Sequence, residues 1–343
     1  MGIQFNGYRW ASYVSASRQG SARAAMLLLA VGAAFGLAAP AAHATLLVDE
    51  SFNYPTLANG ANMNGITATG VGLSGNYTAV NDSTKNPAGT FAYQTAGLSL
   101  GDLAVSGGSV AYQTGSGTYE TGSLSAPFSA STSSSTLYGS YLFQLSKVGG
   151  NDAAGALMGP SGGIDKTSQV EPLVQAYGSG GKGAVGLSDK SIYSVLSGSS
   201  LSTGTTYINL FQVSGVGANS GTASLSEWIL NSAQYSYFAG AGNLNASALS
   251  TAVTGAGPGD VTESGSISGT PTAGNYPSLA SNLIFWGYSG SLKSDTQTFA
   301  DYRLSDSSLA QAAPVATPEP GTLPMGIGML AGGLLLLKRR KTV

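Results

Sequence analysis

The sequence predicts an all-β protein, a sandwich of two sheets, set between two processed ends. Three observations carry this expectation. Short runs rich in β-branched and aromatic residues recur along the chain, each bounded by Gly, Ser, Asn or Pro. Glycine fills 40 of the 272 positions from 45 to 316, about twice its usual share, as expected of many tight turns. Helical periodicity is scarce, with LNASALSTA (244–252) the one short helix expected. The 25 aromatic residues of the same span set it apart from a disordered linker, because their burial offsets the entropy of ordering the chain.

The strands follow in order. LLVDESF (46–52), SVAYQT (109–114), LYGSYLFQL (137–145), VEPLVQAY (170–177) and SIYSVL (191–196) come first. TTYINLFQV (205–213), TASLSEWIL (222–230), NLIFWGY (282–288) and TFADYRL (298–304) follow. Tyr141, Phe143 and Leu145 alternate onto one face. NLIFWGY is apolar on both faces, as expected of a central sandwich strand with a second sheet or ligand face above it. GAGPGDVTESGSISGTPTAGNYP (255–277) is the longest breaker-rich stretch and reads as a loop. No fixed repeat period emerges.

The ends are read separately from the fold. Arg9, Arg18 and Arg23 precede an apolar stretch from Ala24 to Ala39, followed by Ala42-His43-Ala44. This is the basic, apolar and small-x-small order of a secretory signal peptide over residues 1–44, addressed to the secretion translocon and cut after Ala44. The passenger is then residues 45–316, a size that all-β sandwiches commonly form as one domain. Residues 317–343 form a third part. Pro318-Glu319-Pro320 is followed by an apolar segment, 321–337, and by Lys338-Arg339-Arg340-Lys341. The apolar core from Leu323 to Leu337 gives about 22 Å of helix, short against a hydrocarbon layer of about 30 Å, with Lys338 able to snorkel. The basic cluster would hold the C-terminus in the cytoplasm and leave the passenger outside.

Composition excludes several chemistries. The passenger has seven basic and fifteen acidic residues, a net charge of −8, which argues against nucleic acid as partner. The chain has no Cys, and its single His, His43, lies in the leader. Nucleophilic catalysis on Cys or His, zinc sites built on them and His pH switching are therefore absent from the passenger.

The remaining motifs are weak. Gly159-Pro160-Ser161-Gly162-Gly163 fits a nucleophile elbow but lacks the histidine base, and Gly178–Gly183 lacks the spacing of a phosphate loop. Both read as turns. Glu227 is the only acid in its strand and Asp301 stands alone in its own, whereas glycoside hydrolysis needs two carboxylates facing one cleft. No catalytic residue is assigned, and the chain is expected to be a non-enzyme. No cofactor is expected. Calcium stays open, since oxygen ligands suffice, with Asn81-Asp82 and Asn151-Asp152 as candidates against solvated turns. Three sequons, at Asn76, Asn81 and Asn245, read as turn sequences. Trp228, Tyr235, Tyr237, Trp286 and Tyr288 are candidates for glycan contact, because aromatic rings match the apolar C–H faces of sugars. Core packing is the competing reading for Trp228 and Trp286.

Two resemblances add to this reading. DESFNYP near the mature N-terminus, LSTGTTYINLFQVSG in the middle and TFADYRLSDSSLAQAAP at the end resemble segments of concanavalin A-like, laminin-G-type jelly-roll domains. The resemblance implies a jelly-roll sandwich whose first and last strands pair. The closing segment has Asp301-Tyr302-Arg303 in place of an acidic pair before an aliphatic residue and Arg, so no role is carried over to Asp301. The tail, with Pro318-Glu319-Pro320, apolar segment and basic cluster in order, resembles the PEP-CTERM sorting signal of Gram-negative, exopolysaccharide-producing bacteria. It implies an exosortase as partner, cutting near the triplet. It also implies a transient inner-membrane anchor with the passenger in the periplasm, then a place at the cell surface or in the extracellular matrix. The function expected is that of an envelope or matrix protein, exopolysaccharide-associated or glycan-binding. The alternatives are a carbohydrate-active enzyme using paired carboxylates, or an adhesin-like β-helix.

Overall fold

The computed structural model describes residues 46–81, 90–101, 103–104, 107–114, 120–148, 151–159, 170–177, 182–187, 193–217, 221–270, 282–289 and 295–314. The signal peptide with Ala42 and Ala44, the triplet Pro318-Glu319-Pro320, the segment 321–337 and the cluster Lys338–Lys341 lie outside the described residues. So do Asp82, Pro160–Gly163 and the end of the 255–277 stretch. Among the described residues no helix is long and apolar enough to cross a membrane.

The first half of the chain supplies β1 (Val48–Glu50), β2 (Thr78–Asn81), β3 (Thr90–Gln94), β4 (Ser99–Leu100), β5 (Leu103–Ala104), β6 (Ser109–Gln113), β7 (Glu120–Pro127), β8 (Thr136–Leu145) and β9 (Asn151–Gly159). The second supplies β10 (Val170–Tyr177), β11 (Ala184–Leu187), β12 (Tyr193–Val195), β13 (Ser197–Gly198), β14 (Thr206–Ser214) and β15 (Ala223–Leu230). The helices α1 (Ser232–Gly240) and α2 (Ala246–Thr251) follow, then β16 (Glu263–Gly269), β17 (Asn282–Ser289), β18 (Thr296–Ser305) and α3 (Leu309–Ala312).

Two large antiparallel sheets result, beside a two-stranded ladder of β4 and β5. The larger runs β13-β16-β15-β14-β8-β18-β6-β3, with β1 also paired to β18. The smaller runs β12-β11-β10-β9-β17-β7-β2. The all-β sandwich expected from sequence is therefore present, and β1 and β18 lie side by side with Val48 opposite Leu304. Antiparallel pairing throughout both sheets rules out the stacked parallel coils of a β-helix.

The main core lies between the sheets. Phe285 on β17 meets Phe299 and Tyr302 on β18 at ring-centroid distances of 5.6 and 6.1 Å. Tyr141, Phe143 and Leu145 share this core, as their alternation predicts. Gly287 allows a close approach between the sheets. A Cβ there would stand 2.2 Å from the Tyr112 ring, which presses in from the larger sheet. A second core lies on the other face of the larger sheet. Leu142, Ile208, Leu210, Trp228 and Leu230 point out of the sandwich there, under Tyr235, Phe238, Leu244, Leu249 and Leu309 of the helical segments.

The helical cover is built from caps. Asn231 Oδ1 accepts from the Gln234 N–H at 3.1 Å, and Gln234 Oε1 accepts from the Asn231 N–H at 2.9 Å, a reciprocal capping box that starts α1. The expected short helix appears as α2, capped by Asn245. The final turn, α3, and the residues after it are tied to the larger sheet and to α1: Ser140 Oγ of β8 donates to the Ala312 carbonyl at 2.6 Å, and Tyr235 Oη of α1 donates to the Pro314 carbonyl.

Several segments read as turns prove to be strands. Residues 263–269 of the long breaker-rich stretch form β16, and Asn151-Asp152 open β9 instead of forming a solvated turn. Both gain their pairing from long-range partners, β15 for one and β10 with β17 for the other, which outweighs poor local propensity.

Candidate functional site

β17 is central in the smaller sheet, and its period-two alternation divides it in two. Leu283 and Phe285 join the inter-sheet core, while Ile284, Trp286 and Tyr288 face the opposite side. Trp286 and Tyr288 are half-buried, and their rings lie 6.1 Å apart between centroids at an interplanar angle of only 15°. Trp286 Nε1 donates to Thr121 Oγ1 of β7 at 2.9 Å, which fixes the indole plane. The residues flanking the pair in register are small. Thr121 and Ser123 stand opposite Tyr288 and Trp286 on β7, and Ala153 and Gly155 on β9. Val80 on the neighbouring β2 is opposite Ser123 and 38 % exposed. The result is a near-planar aromatic strip among small, partly hydroxylated neighbours, on a face that none of the described helices covers. Such a strip can stack on an apolar sugar face while nearby hydroxyls bond the sugar's own.

The five aromatic candidates thus separate. Trp286 and Tyr288 come together on this face. Trp228 and Tyr235 do not join them: both are buried in the second core, Trp228 at 2 % and Tyr235 at 3 % exposure, so core packing is the reading the structure supports for them. The reason is the helical layer, which turns the other side of the larger sheet into a core. Burial also raises the Tyr235 hydroxyl well above its ordinary value. Tyr237 is 51 % exposed but sits on α1, edge-on to Phe238 and away from the strip.

Several acids are buried, in surroundings that spacing does not reveal. Glu50 accepts from the Phe52 N–H at 2.6 Å, from Tyr77 Oη at 2.8 Å and from Tyr54 Oη at 3.3 Å, and burial raises its pKa all the same. Phe52 adopts φ +52° to make this turn. Asp301 does not stand alone. It sits at φ +50° where the β8–β18 register shifts, and Arg303 bonds it at 3.0 Å while approaching Asp49 at 3.6 Å.

Two further glutamates are enclosed between the sheets. Asn209 Nδ2 donates to Tyr141 Oη at 2.9 Å and to Glu227 Oε1 at 2.5 Å. Glu263, on the strand beside Glu227, reaches across to accept from the Gly183 N–H of the smaller sheet. Both glutamates are fully buried. Burial pushes Glu263 up to about 8, against smaller downward pulls from the Gly183 N–H and Lys182. Burial pushes Glu227 well up too, with the Asn209 bond pulling down and the Glu263 charge pushing further up. These two acids are a pair, but a pair enclosed in the core and not in the open cleft that two-carboxylate hydrolysis requires. Among the described residues no group of three or more Asp, Glu, His or Cys could hold a metal ion.

No protein-family model matches the chain, and no curated protein matches it. Solved structures do. The PL-14 alginate lyase from the marine Aplysia kurodai matches at 9 % identity and TM-score 0.34, over 62 % of this chain and 86 % of that one. The binding domain of botulinum neurotoxin DC matches at 6 % identity and TM-score 0.37, over 78 % of this chain and 49 % of that one. Lectin I-B4 from Griffonia simplicifolia matches at 11 % identity and TM-score 0.33, over 66 % of this chain and 98 % of that one. The structures found thus include lectin and carbohydrate-recognition domains. The expectation of a non-enzyme is corrected by the same matches. Alginate lyases stand among them, so the chain is not assigned to the non-enzymes.

Proposed function

We propose that this is an exported envelope or matrix protein whose sandwich binds polysaccharide along the outer side of the smaller sheet. The observation that carries the binding site is the Trp286–Tyr288 pair, near-parallel, half-buried and anchored through Thr121. The address rests on the two ends of the sequence. The leader cut after Ala44 would export the chain, and the tail from Pro318 to Lys341 would hold it at the inner membrane until an exosortase cuts near the triplet.

Trp286 and Trp228 are the only tryptophans of the passenger, and Trp228 is sealed under the helices. Intrinsic fluorescence therefore reports the strip directly. Soluble polysaccharides from the producing bacterium should shift it saturably, and Tyr288→Ala, which keeps the reporting indole, should move the titration midpoint to about tenfold more polysaccharide. A titration in which no host polysaccharide perturbs Trp286 overturns the binding site. Viscosity followed in the same samples registers any cleavage of the polymer. The address is tested by mass spectrometry of the protein from envelope and medium, where a C-terminus beyond Lys341 in every fraction would refute processing.

A further inference from the structure

The last described segment ends in a clamp. Three successive carbonyls take side-chain donors from three different elements: Ala312 from Ser140 Oγ of β8, Ala313 from Arg303 Nη1 of β18 at 3.5 Å, and Pro314 from Tyr235 Oη of α1. Ala313 belongs to the second core with Leu309, so the chain is held on the outer side of the larger sheet, over β8 and β18, as far as Pro314. The aromatic strip lies on the outer side of the other sheet. Gly321, the first residue of the apolar segment, is seven residues beyond Pro314, so at most about 25 Å of extended chain joins the clamp to that segment. Laying the strip on a bilayer would take this chain to the rim of the larger sheet and then past both sheets. The rim is about 7 Å from Arg303 along β18, or about 10 Å away across β6 and β3. Packed sheets are about 10 Å apart, and the helical layer and outer side chains add about as much again. The way round is about 30 Å, longer than the tether at full stretch.

The clamped side also suits a membrane. Residues 231–259, which form α1, α2 and the loop after them, contain no charged residue. The adjoining acids in sequence are Glu227, enclosed between the sheets, and Asp260, half-buried. Asp306, ahead of α3, is half-buried and accepts from Thr132 Oγ1 at 2.6 Å. Tyr237 and Val253 stand out from this cover at 51 % and 71 % exposure. A passenger of charge −8 is repelled by anionic headgroups wherever its acids approach them. An uncharged side with a tyrosine at its surface meets them without that cost. Resting on the anchored reading of the tail given above, we infer that the short tether holds the helical cover against the bilayer and turns the Trp286–Tyr288 strip away from it, open to polysaccharide.

The absence of Cys lets one fluorophore be placed at a time. Tyr237→Cys and Val253→Cys mark the cover, and Val80→Cys marks the side of the strip, all at exposed positions. The chain exported with its tail intact is purified and reconstituted in vesicles of phosphatidylethanolamine and phosphatidylglycerol that carry a nitroxide on the headgroup. Labels at 237 and 253 should be quenched several-fold more than the label at 80. About ten Gly/Ser residues inserted after Ala316 should free the sandwich to turn and bring the three labels towards equal quenching. Equal quenching at the native tether length, or stronger quenching at 80, overturns the inference and leaves the anchor standing. A contrast that the insertion does not reduce overturns it as well, since the tether would not then be its cause. A chain that does not float with the vesicles overturns the anchor and the inference together.

Discussion

Trp228 and Trp286 occupy matching places in the two sheets. Each is on an interior strand, each points away from the sandwich core, and each has a hydrogen-bonded strand on both sides. One is sealed under α1 and its neighbours, and the other forms half of an accessible aromatic strip. The difference arises elsewhere in the chain. After β15 the sequence turns into a capped helical segment that folds back over its own sheet, whereas β17 leads on to β18 in the opposite sheet. A tryptophan's role in a sandwich is thus fixed by what the chain does next, more than by the strand that carries it.

The largest expected effect breaks the covered side. Trp228→Ala should cost about 3–5 kcal/mol of stability, read from denaturant unfolding, with glycan affinity of the folded fraction unchanged. A loss of affinity in still-folded protein would show that the two sides are coupled.

Next comes the layer beneath both. Glu263 binds its proton more tightly in the folded state, since its pKa rises from 4.5 to about 8. Its contribution to stability is therefore complete below about pH 4.5 and is lost as pH climbs from there to about 8. The slope is at most about 1.4 kcal/mol per pH unit. Glu263→Gln should flatten the decline of melting temperature over that window, and an unchanged slope would refute the assignment.

On the open side, Trp286→Ala should weaken polysaccharide binding about tenfold, near 1.4 kcal/mol, while moving the melting midpoint far less than Trp228→Ala does. Equal destabilisation by both variants would erase the contrast between the sides. The smallest effect concerns the lid. Asn231→Ala removes the α1 cap and should cost about 1 kcal/mol, with faster amide exchange confined to α1.

Sequence patterns reveal the strands that carry large side chains and miss those that do not. β8, β14, β15, β17 and β18 are legible because β-branched and aromatic residues fill them. β7 (ETGSLSAP), β9 (NDAAGALMG) and β16 (ESGSISG) resemble loops, yet β7 and β9 flank β17 and their small residues make room for its rings. Their strand character is a property of the neighbours. α1 had a readable start in the N-x-x-Q spacing of Asn231 and Gln234. Its apolar residues, packed as Tyr-Ser-Tyr-Phe, mimic a strand instead. The candidate site was half legible. The double-sided apolarity of NLIFWGY marks its outer side as special, but nothing local separates Trp286 from Trp228. The Glu227–Glu263 pair was out of reach, because the two are 36 positions apart and meet only through β15–β16 register.

Gly287 sits between the two rings of the strip, and its inner side is filled by Tyr112 from the opposite sheet. The gauge between Trp286 and Tyr288 is therefore set from inside, by a backbone wedged against the core. On the proposed reading, an incoming chain of sugars would meet a ruler whose divisions are already cut, and would spend little of its binding energy on drawing them.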